Sequence, residues 1–446
     1  MSELTRILKR DGTEAPFDRE KIRVAIYKAG ASLGIHDEPF SREAAGEVVD
    51  ILERSYTSAF PPSVEGIQDV AERVLIRKGK AEIAKAYILY RAKRASLRQR
   101  REGKRSKMPE PVPYKSLWRA YVWAVDHGVA SIASLNARIR AGEFPALVRE
   151  SEAMYQSQVD EAAREIVENR DQVRIVIVAG PSSSGKTTTT IKIEERLKEA
   201  GLKLKALNVD NYFFDLELHP KDEHGDYDFE TPEALDLQLI NGHLGALIGG
   251  EEIVTPTYDF KTGKRTPPGT PFRLAEDEVL LIDCLHGLYY EMTRSVPAEA
   301  KYKLYIETLA QMKGPRGRFI RWYDLRLLRR MIRDSLHRSY DPRKTLIHWH
   351  YVRRSELKHI IPFIHDVDFI VNSALPFELP VMKNKLFHHF PRFLEEFKED
   401  PSKQDAYLRA RRVHEMLEAV EEVSDPSPIP GDSLLREFIG GSSYRY

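Results

Sequence analysis

Val173-Arg174-Ile175-Val176-Ile177-Val178-Ala179 runs directly into Gly180-Pro181-Ser182-Ser183-Ser184-Gly185-Lys186-Thr187, and a helix-forming stretch, Thr188 to Ala200, follows before Gly201. A β-branched run, a glycine-bounded loop, Lys-Thr and a helix, in that order, form a phosphate-binding loop in its structural context. Glycines at both ends let backbone N–H groups curl around an anion, and the helix N-terminus adds partial positive charge. The expected cradle is Gly180, Ser182, Ser183, Ser184, Gly185, Lys186, Thr187 and Thr188. Lys186 would reach the β/γ-phosphates of a nucleotide, and Thr187 would hold Mg²⁺.

The rest of the chain bounds the setting for this loop. Its 446 residues suffice for two or three domains with a large core. Hydrophobic residues make up 42% and charged residues 31%, an ordinary balance for a globular protein in water. A net charge of +1 gives no global field towards nucleic acid or membrane, so neither is expected as a partner. The single cysteine, Cys284, excludes an intrachain disulfide and a thiolate-rich zinc site. No apolar run approaches the roughly 18 residues needed to cross a bilayer, and Met1 to Arg6 lacks the apolar core of a signal peptide. Together these features predict a cytoplasmic protein.

Residues 1–97 predict a small, mostly helical module. It opens with a short strand, Thr5 to Leu8, and an Asp11-Gly12 turn. Val64, Ile67, Val70, Val74 and Leu75 then share one helix face, after a break at Pro61-Pro62-Ser63. Residues 98–170 predict a basic linker and a helical connector. The run 91–107 is densely basic and Pro109, Pro111 and Pro113 follow it. It is a solvated helix end leading into a tether, or else a contact for phosphate or nucleic acid. Trp118, Tyr121 and Trp123 are expected in a core. Residues 171–395 alternate strands and helices, which predicts a parallel α/β sheet with helices on both faces. After the loop strand, the expected strands are Lys205 to Val209, Val279 to Ile282, Leu304 to Ile306 and Phe369 to Val371. Residues 396–446 predict a helix, Asp405 to Val423, and a Pro-rich tail.

Two acids end predicted strands, where ligands gather in such sheets. Asp210 could orient a hydroxyl and accept its proton during phosphoryl transfer, or cap the next turn. Asp283 could serve Mg²⁺ through water in the Walker-B manner, or cap a helix. Arg329, Arg330 and Arg333 recur at helical spacing, with Arg338 and Arg343 beyond, and predict a basic lid that offsets charge on the transferred phosphoryl group. His348 and His350, flanking Trp349, are expected to pack.

With these residues in view, the chain resembles the uridine kinase / phosphoribulokinase family. The resemblance rests on the phosphate loop, Asp210-Asn211-Tyr212-Phe213, Pro256-Thr257-Tyr258-Asp259-Phe260 and Arg329-Arg330-Met331-Ile332-Arg333-Asp334, and covers about half of the chain. It implies phosphorylation of a primary hydroxyl by ATP, in uridine kinases the 5′-hydroxyl of a pyrimidine nucleoside. By resemblance Asp210 is the catalytic base, and Lys186, Arg330 and Arg333 complete the catalytic set. Tyr212, Phe229, Glu230, Tyr258, Arg265 and Arg338 fall at the acceptor side, and Thr187 and Asp283 at the metal. Four positions depart from the family pattern. Glu230 stands where uridine kinases have Asp, Gly263 where a base-contacting histidine falls, Tyr340 where a lid arginine falls, and Asp283 where Glu is usual. Asp226 to Glu230, Phe260 to Arg265 and the closing Arg436 to Ser442 resemble a longer bacterial branch of nucleoside kinases.

The first 97 residues resemble the ATP-cone, the regulatory nucleotide-binding module of ribonucleotide reductases and their repressor. The resemblance is carried by Lys9-Arg10-Asp11-Gly12, Phe17, Lys21, Ile22, Val64 to Val70 and Ala86 to Arg91. It implies that Lys9, Arg10 and Lys21 gather at the phosphates of ATP or dATP, and that this nucleotide regulates the kinase. Both resemblances imply a homo-oligomer. The sequence thus predicts a Mg²⁺- and ATP-dependent kinase of a small molecule. Two readings stay open beside a nucleoside acceptor: a sugar, sugar phosphate or other polyol acceptor, and a nucleotide-sensing switch without catalysis.

Overall fold

The computed structural model describes residues 4–8, 14–55, 62, 64–80, 82–84, 86–87, 113–220, 227, 230–337, 340–400 and 403–445. The Asp11-Gly12 turn, Lys9, Arg10, Ser63, the basic run 91–107, Asp228, Phe229 and Arg338 lie outside them. The chain divides into two compact units, Met1–Pro109 and Glu110–Tyr446.

In the first unit, β1 (Arg6–Leu8) pairs antiparallel with β2 (Glu14–Pro16), Ile7 opposite Ala15. Three helices follow: α1 (Arg19–Ala31), α2 (Glu38–Ser55) and α3 (Val64–Arg77). Asp18 caps α1 by accepting from the Glu20 N–H at 3.0 Å. The apolar stripes of the three helices meet at Ile26, Val48, Leu52, Val70 and Val74, all buried.

The second unit opens with three helices, α4 (Tyr114–Asp126), α5 (Ile132–Arg140) and α6 (Phe144–Glu168). A sheet in the order β4-β7-β3-β8-β9 follows, built from β3 (Ile175–Ala179), β4 (Lys203–Asn208), β7 (Glu278–Cys284), β8 (Lys301–Glu307) and β9 (Phe369–Asn372). Every pairing in it is parallel. β3 is central and every residue of it is buried, as an uninterrupted apolar run requires when helices cover both faces. Val176 and Val178 face one core, with α6 and the helices after β8. Ile175 and Ile177 face the other, with α8 (Leu237–Ile248) and the strands β5 (Glu252–Asp259) and β6 (Lys264–Arg273). β5 and β6 form a separate antiparallel hairpin. After β8 come α9 (Trp322–His337), α10 (Pro342–His359), α11 (Glu378–Leu386), α12 (Phe390–Phe397), α13 (Gln404–Glu418) and the short α14 (Arg436–Ile439).

The five expected strands are present. Trp118 departs from expectation: it is 67% exposed on α4, while Trp123 packs on the core. Six positions separate Trp118 from the buried Ala124, and at about 100° per residue this sets it about 120° round α4 from the buried face. Trp349 is buried. His350 turns its Nδ1 to the Ile347 carbonyl at 2.8 Å, and His348 meets the Tyr340 hydroxyl at 3.2 Å. Among the described residues, no helix is long and apolar enough to cross a membrane.

Candidate active site

The phosphate loop leaves the carboxyl end of β3 and enters α7 (Lys186–Glu199). Chain order steps from β3 out to β4 on one side and later to β8 on the other, and such a reversal opens a crevice at the strand ends. The loop is tightly built. A Cβ on Gly180 would lie 2.4 Å from the Ile306 carbonyl oxygen of the neighbouring strand, so backbone must approach backbone there. Gly185 is left-handed, φ 90°, and is the N-cap of α7. Ser183, at φ 61°, is the one non-glycine with positive φ among the described residues. Strain of this kind persists only where the surroundings hold it.

Buried arginines of α9 supply that hold. Arg326 donates to the Ser182 carbonyl at 3.1 Å while its charge is met by Glu307 and Glu356. Arg329 donates to the Ser184 carbonyl at 3.2 Å and the Ser373 carbonyl at 2.6 Å, and pairs with Glu378 at 2.7 Å. Ser373 Oγ donates to the same Ser184 carbonyl at 2.5 Å. Arg329 is therefore not part of a lid, because successive helix positions diverge by about 100° and this one points under the loop. Arg343 is not either: it pairs with Glu396, away from the loop.

Above the loop lies a cleft of about 540 Å³. Ser182, Ser183, Lys186, Thr187, Asp210, Glu230, Asp283, Arg330 and Arg333 all line it. Asp210 sits in the 3₁₀ turn Val209–Tyr212 just past β4, its N–H held by Asn208 Oδ1 at 3.0 Å. Its carboxylate faces the cleft, but surrounding protein raises its pKa and Lys186 opposes the rise. Burial pushes Asp283 up to about 6, Lys186 pulling against it while Glu437 and Asp210 add to the push. Arg330 spans the cleft, donating to Ser182 Oγ at 3.0 Å and to Glu230 at 2.9 Å.

Other expected residues stand behind the walls. Ser184 is buried with its carbonyl engaged below the loop. Tyr212 is buried, its hydroxyl 2.9 Å from His243 Nδ1. Tyr258 is buried among Phe213, His219 and Phe260. Arg265 donates to the Tyr212 and Phe213 carbonyls, both at 2.7 Å, and pairs with Asp236 at 3.0 Å. It braces the turn that presents Asp210 rather than opening onto the cleft. Gly263, at φ 69°, turns the β5–β6 hairpin, and a Cβ there would meet Leu216 at 2.8 Å. Any side chain at this position, histidine included, would be strained and would strike Leu216. Lys21 projects from the first turn of α1, 3.6 Å from Asp18 and largely exposed.

Further residues line the cleft: Phe213 and Phe260, which fall within the quoted motifs, and Thr231, Leu235, Leu285 and His286, which carry no signal in the sequence. Burial drives the His286 imidazole down to about 3, His359 adding to the effect, so it is neutral at physiological pH. The Cys284 thiol is buried and raised by that burial, hence inert. Glu437 is the most distant omission. Its carboxylate accepts from the Thr188 N–H at 3.2 Å and the Thr188 hydroxyl at 2.7 Å.

Among the described residues, no three acidic, histidine or cysteine side chains cluster as a metal cage. A Mg²⁺ ion carried on nucleotide phosphates needs none, since it keeps its waters and takes one or two protein ligands. The exposed Thr187 hydroxyl and Asp283 fit that role.

Both regions of the chain resemble known proteins. Residues 175–377 match the phosphoribulokinase / uridine kinase family and residues 5–96 match the ATP cone domain. A uridine kinase of Chloroflexus aurantiacus is 32% identical over 165 residues, 37% of this chain and 69% of that protein. A uridine kinase of Deinococcus deserti is 28% identical over 198 residues, 44% of this chain and 86% of that protein. The vitamin B12-dependent ribonucleoside-diphosphate reductase of Thermoplasma acidophilum is 43% identical over 101 residues, 22% of this chain and 13% of that protein.

Proposed function

The chain belongs to the phosphoribulokinase / uridine kinase family, and on that premise we propose that it transfers the γ-phosphoryl group of ATP to a hydroxyl of a nucleoside, under the control of a second nucleotide bound by its ATP cone. The observation that carries this reading is the convergence of Asp210, Lys186, Arg330 and Arg333 on one cleft at the mouth of the phosphate loop. A protein that only bound nucleotide would need neither the carboxylate nor the arginines.

Each residue has a derivable task. Loop amides and Lys186 hold the donor phosphates. Thr187 and Asp283 serve Mg²⁺, which when bound neutralises phosphate charge. Asp210 aligns the acceptor hydroxyl and takes its proton as the oxygen bonds to the γ-phosphorus. The bond to the β-phosphate oxygen breaks and ADP leaves. Arg330 and Arg333 face the charge spread over the transferred group, and Arg330 is already oriented by Glu230. Phe213, Leu235, Phe260 and Leu285 give the acceptor an apolar wall.

A sugar or other polyol acceptor is a second reading. It is favoured by Glu230, whose carboxylate is engaged by Arg330, and by Gly263, where the hairpin leaves no room for a base-reading histidine. ADP release with Mg·ATP, measured against nucleosides, sugars and sugar phosphates with mass spectrometry of the product, separates the two. Turnover of uridine or cytidine supports the nucleoside reading, and turnover of non-nucleosides alone supports the second. ATP binding without any product would sink both and favour a nucleotide-sensing switch.

A further inference from the structure

The segment Asp432–Tyr444 is fastened along the first turns of the phosphate-loop helix. Asp432 pairs with Lys192 at 2.7 Å, Ser433 Oγ donates to Glu152, and the Tyr444 hydroxyl donates to Glu195 at 3.0 Å. Leu434 presses on the loop itself, close enough that a Cβ on Gly185 would lie 2.5 Å from its Cδ1. Arg436 ties the segment into a closed bend through the Pro426 carbonyl at 2.9 Å and the Ile429 carbonyl at 2.7 Å. Phe438 is buried with the Arg329 guanidinium 5.2 Å from its ring centre.

Glu437 is the chemically notable member. It is 7% exposed, and its carboxylate sits on the N–H and hydroxyl of Thr188. With Gly185 as N-cap, Lys186, Thr187 and Thr188 are the first three helical residues. Their N–H groups have no partner within the helix and point at whatever anion the loop holds. Lys186 takes the β/γ end of a donor, so the chain of phosphates must continue along this same first turn. One of those donors is already engaged by an internal anion.

We propose that Asp432–Tyr444 is an intrachain competitor for the phosphoryl donor, with Glu437 standing in for a donor phosphate oxygen at Thr188. Two anions cannot share one N–H in a buried site, so donor binding requires the Glu437 carboxylate to leave and α14 to back away. The apparent donor affinity is reduced by the fraction of molecules in which the segment is docked. The inference rests on reading the loop as the donor site.

The test is calorimetric titration of the full-length protein with Mg·ATP, without acceptor, for wild type and Glu437→Gln. The amide keeps the shape and loses the charge, so the variant should bind ATP on the order of tenfold more tightly. Equal or weaker binding by the variant would overturn competition and leave Glu437 as a cap that positions Thr188. No binding by either protein would overturn the donor-site reading instead. Hydrogen exchange on the wild type decides the matter even if the variant does not fold. Amides of residues 434–439 should exchange faster when Mg·ATP is added, and unchanged or slower exchange would overturn the proposal.

Discussion

Arg330 and Glu230 meet at 2.9 Å across the cleft, and the same guanidinium reaches Ser182 Oγ at 3.0 Å. One carboxylate of the cleft thus sets the aim of an arginine that touches the phosphate loop. Glu230→Gln should leave ATP binding near wild type while lowering kcat about tenfold to a hundredfold, because the guanidinium loses its orientation but stays in place. Steady-state kinetics in both substrates checks this. A change confined to the ATP KM would mean that the pair does not aim Arg330.

Asp210→Asn should retain ATP binding and lose turnover by about a hundred- to ten-thousandfold, the range expected when a positioned base is removed. Single-turnover measurements at saturating acceptor would show it. Turnover near wild type would remove Asp210 from proton transfer.

Asp283 gives the protein a pH signature. Its carboxyl is raised to about 6 by burial, against about 3.9 in an unfolded chain. The folded state therefore keeps this proton longer than the unfolded state does. That contribution to stability is present below pH ~4 and is lost as the pH rises to about 6, leaving a cost of about 3 kcal/mol at neutrality. Asp283→Asn should be more stable than wild type in urea at pH 7, with the difference vanishing towards pH 4, while activity falls. A pH-independent difference would place the carboxylate in a different environment.

Arg329 and Glu378 form a buried pair beneath the loop. Arg329→Ala should cost about 3–5 kcal/mol in denaturant unfolding, because it strands the Glu378 charge. Arg329→Met with Glu378→Leu should recover much of that stability but not nucleotide affinity, since the Ser184 carbonyl loses one of its two donors and keeps only Ser373 Oγ. Recovery of both would mean that the pair acts on stability alone.

Much of this was legible along the chain. The strand Ile175–Ala179, the loop and its helix follow one another, so period, glycines and Lys-Thr suffice to read them. Asp210 and Asp283 follow apolar runs and were readable for the same reason. What stayed hidden depends on direction or distance. Arg329 and Arg330 are neighbours, yet one points under the loop and the other into the cleft, a difference set by helix rotation rather than composition. Tyr212, Tyr258 and Arg265 share motifs with the cleft residues but turn inward to brace them. Glu437 meets Thr188 across 249 positions, and no local pattern announces such a pairing.

The two halves of the cleft hang from supports of unequal stiffness. The donor loop is the continuation of β3, which is hydrogen-bonded on both sides at the middle of five strands. Phe260, on another wall of the cleft, lies in the turn of a two-stranded hairpin that adds no strand to that sheet, and is 61% exposed. Backbone opening scales with such local support. Amide exchange at the hairpin turn should therefore be faster than along β3, which makes the Phe260 wall the more readily opened side of the cleft.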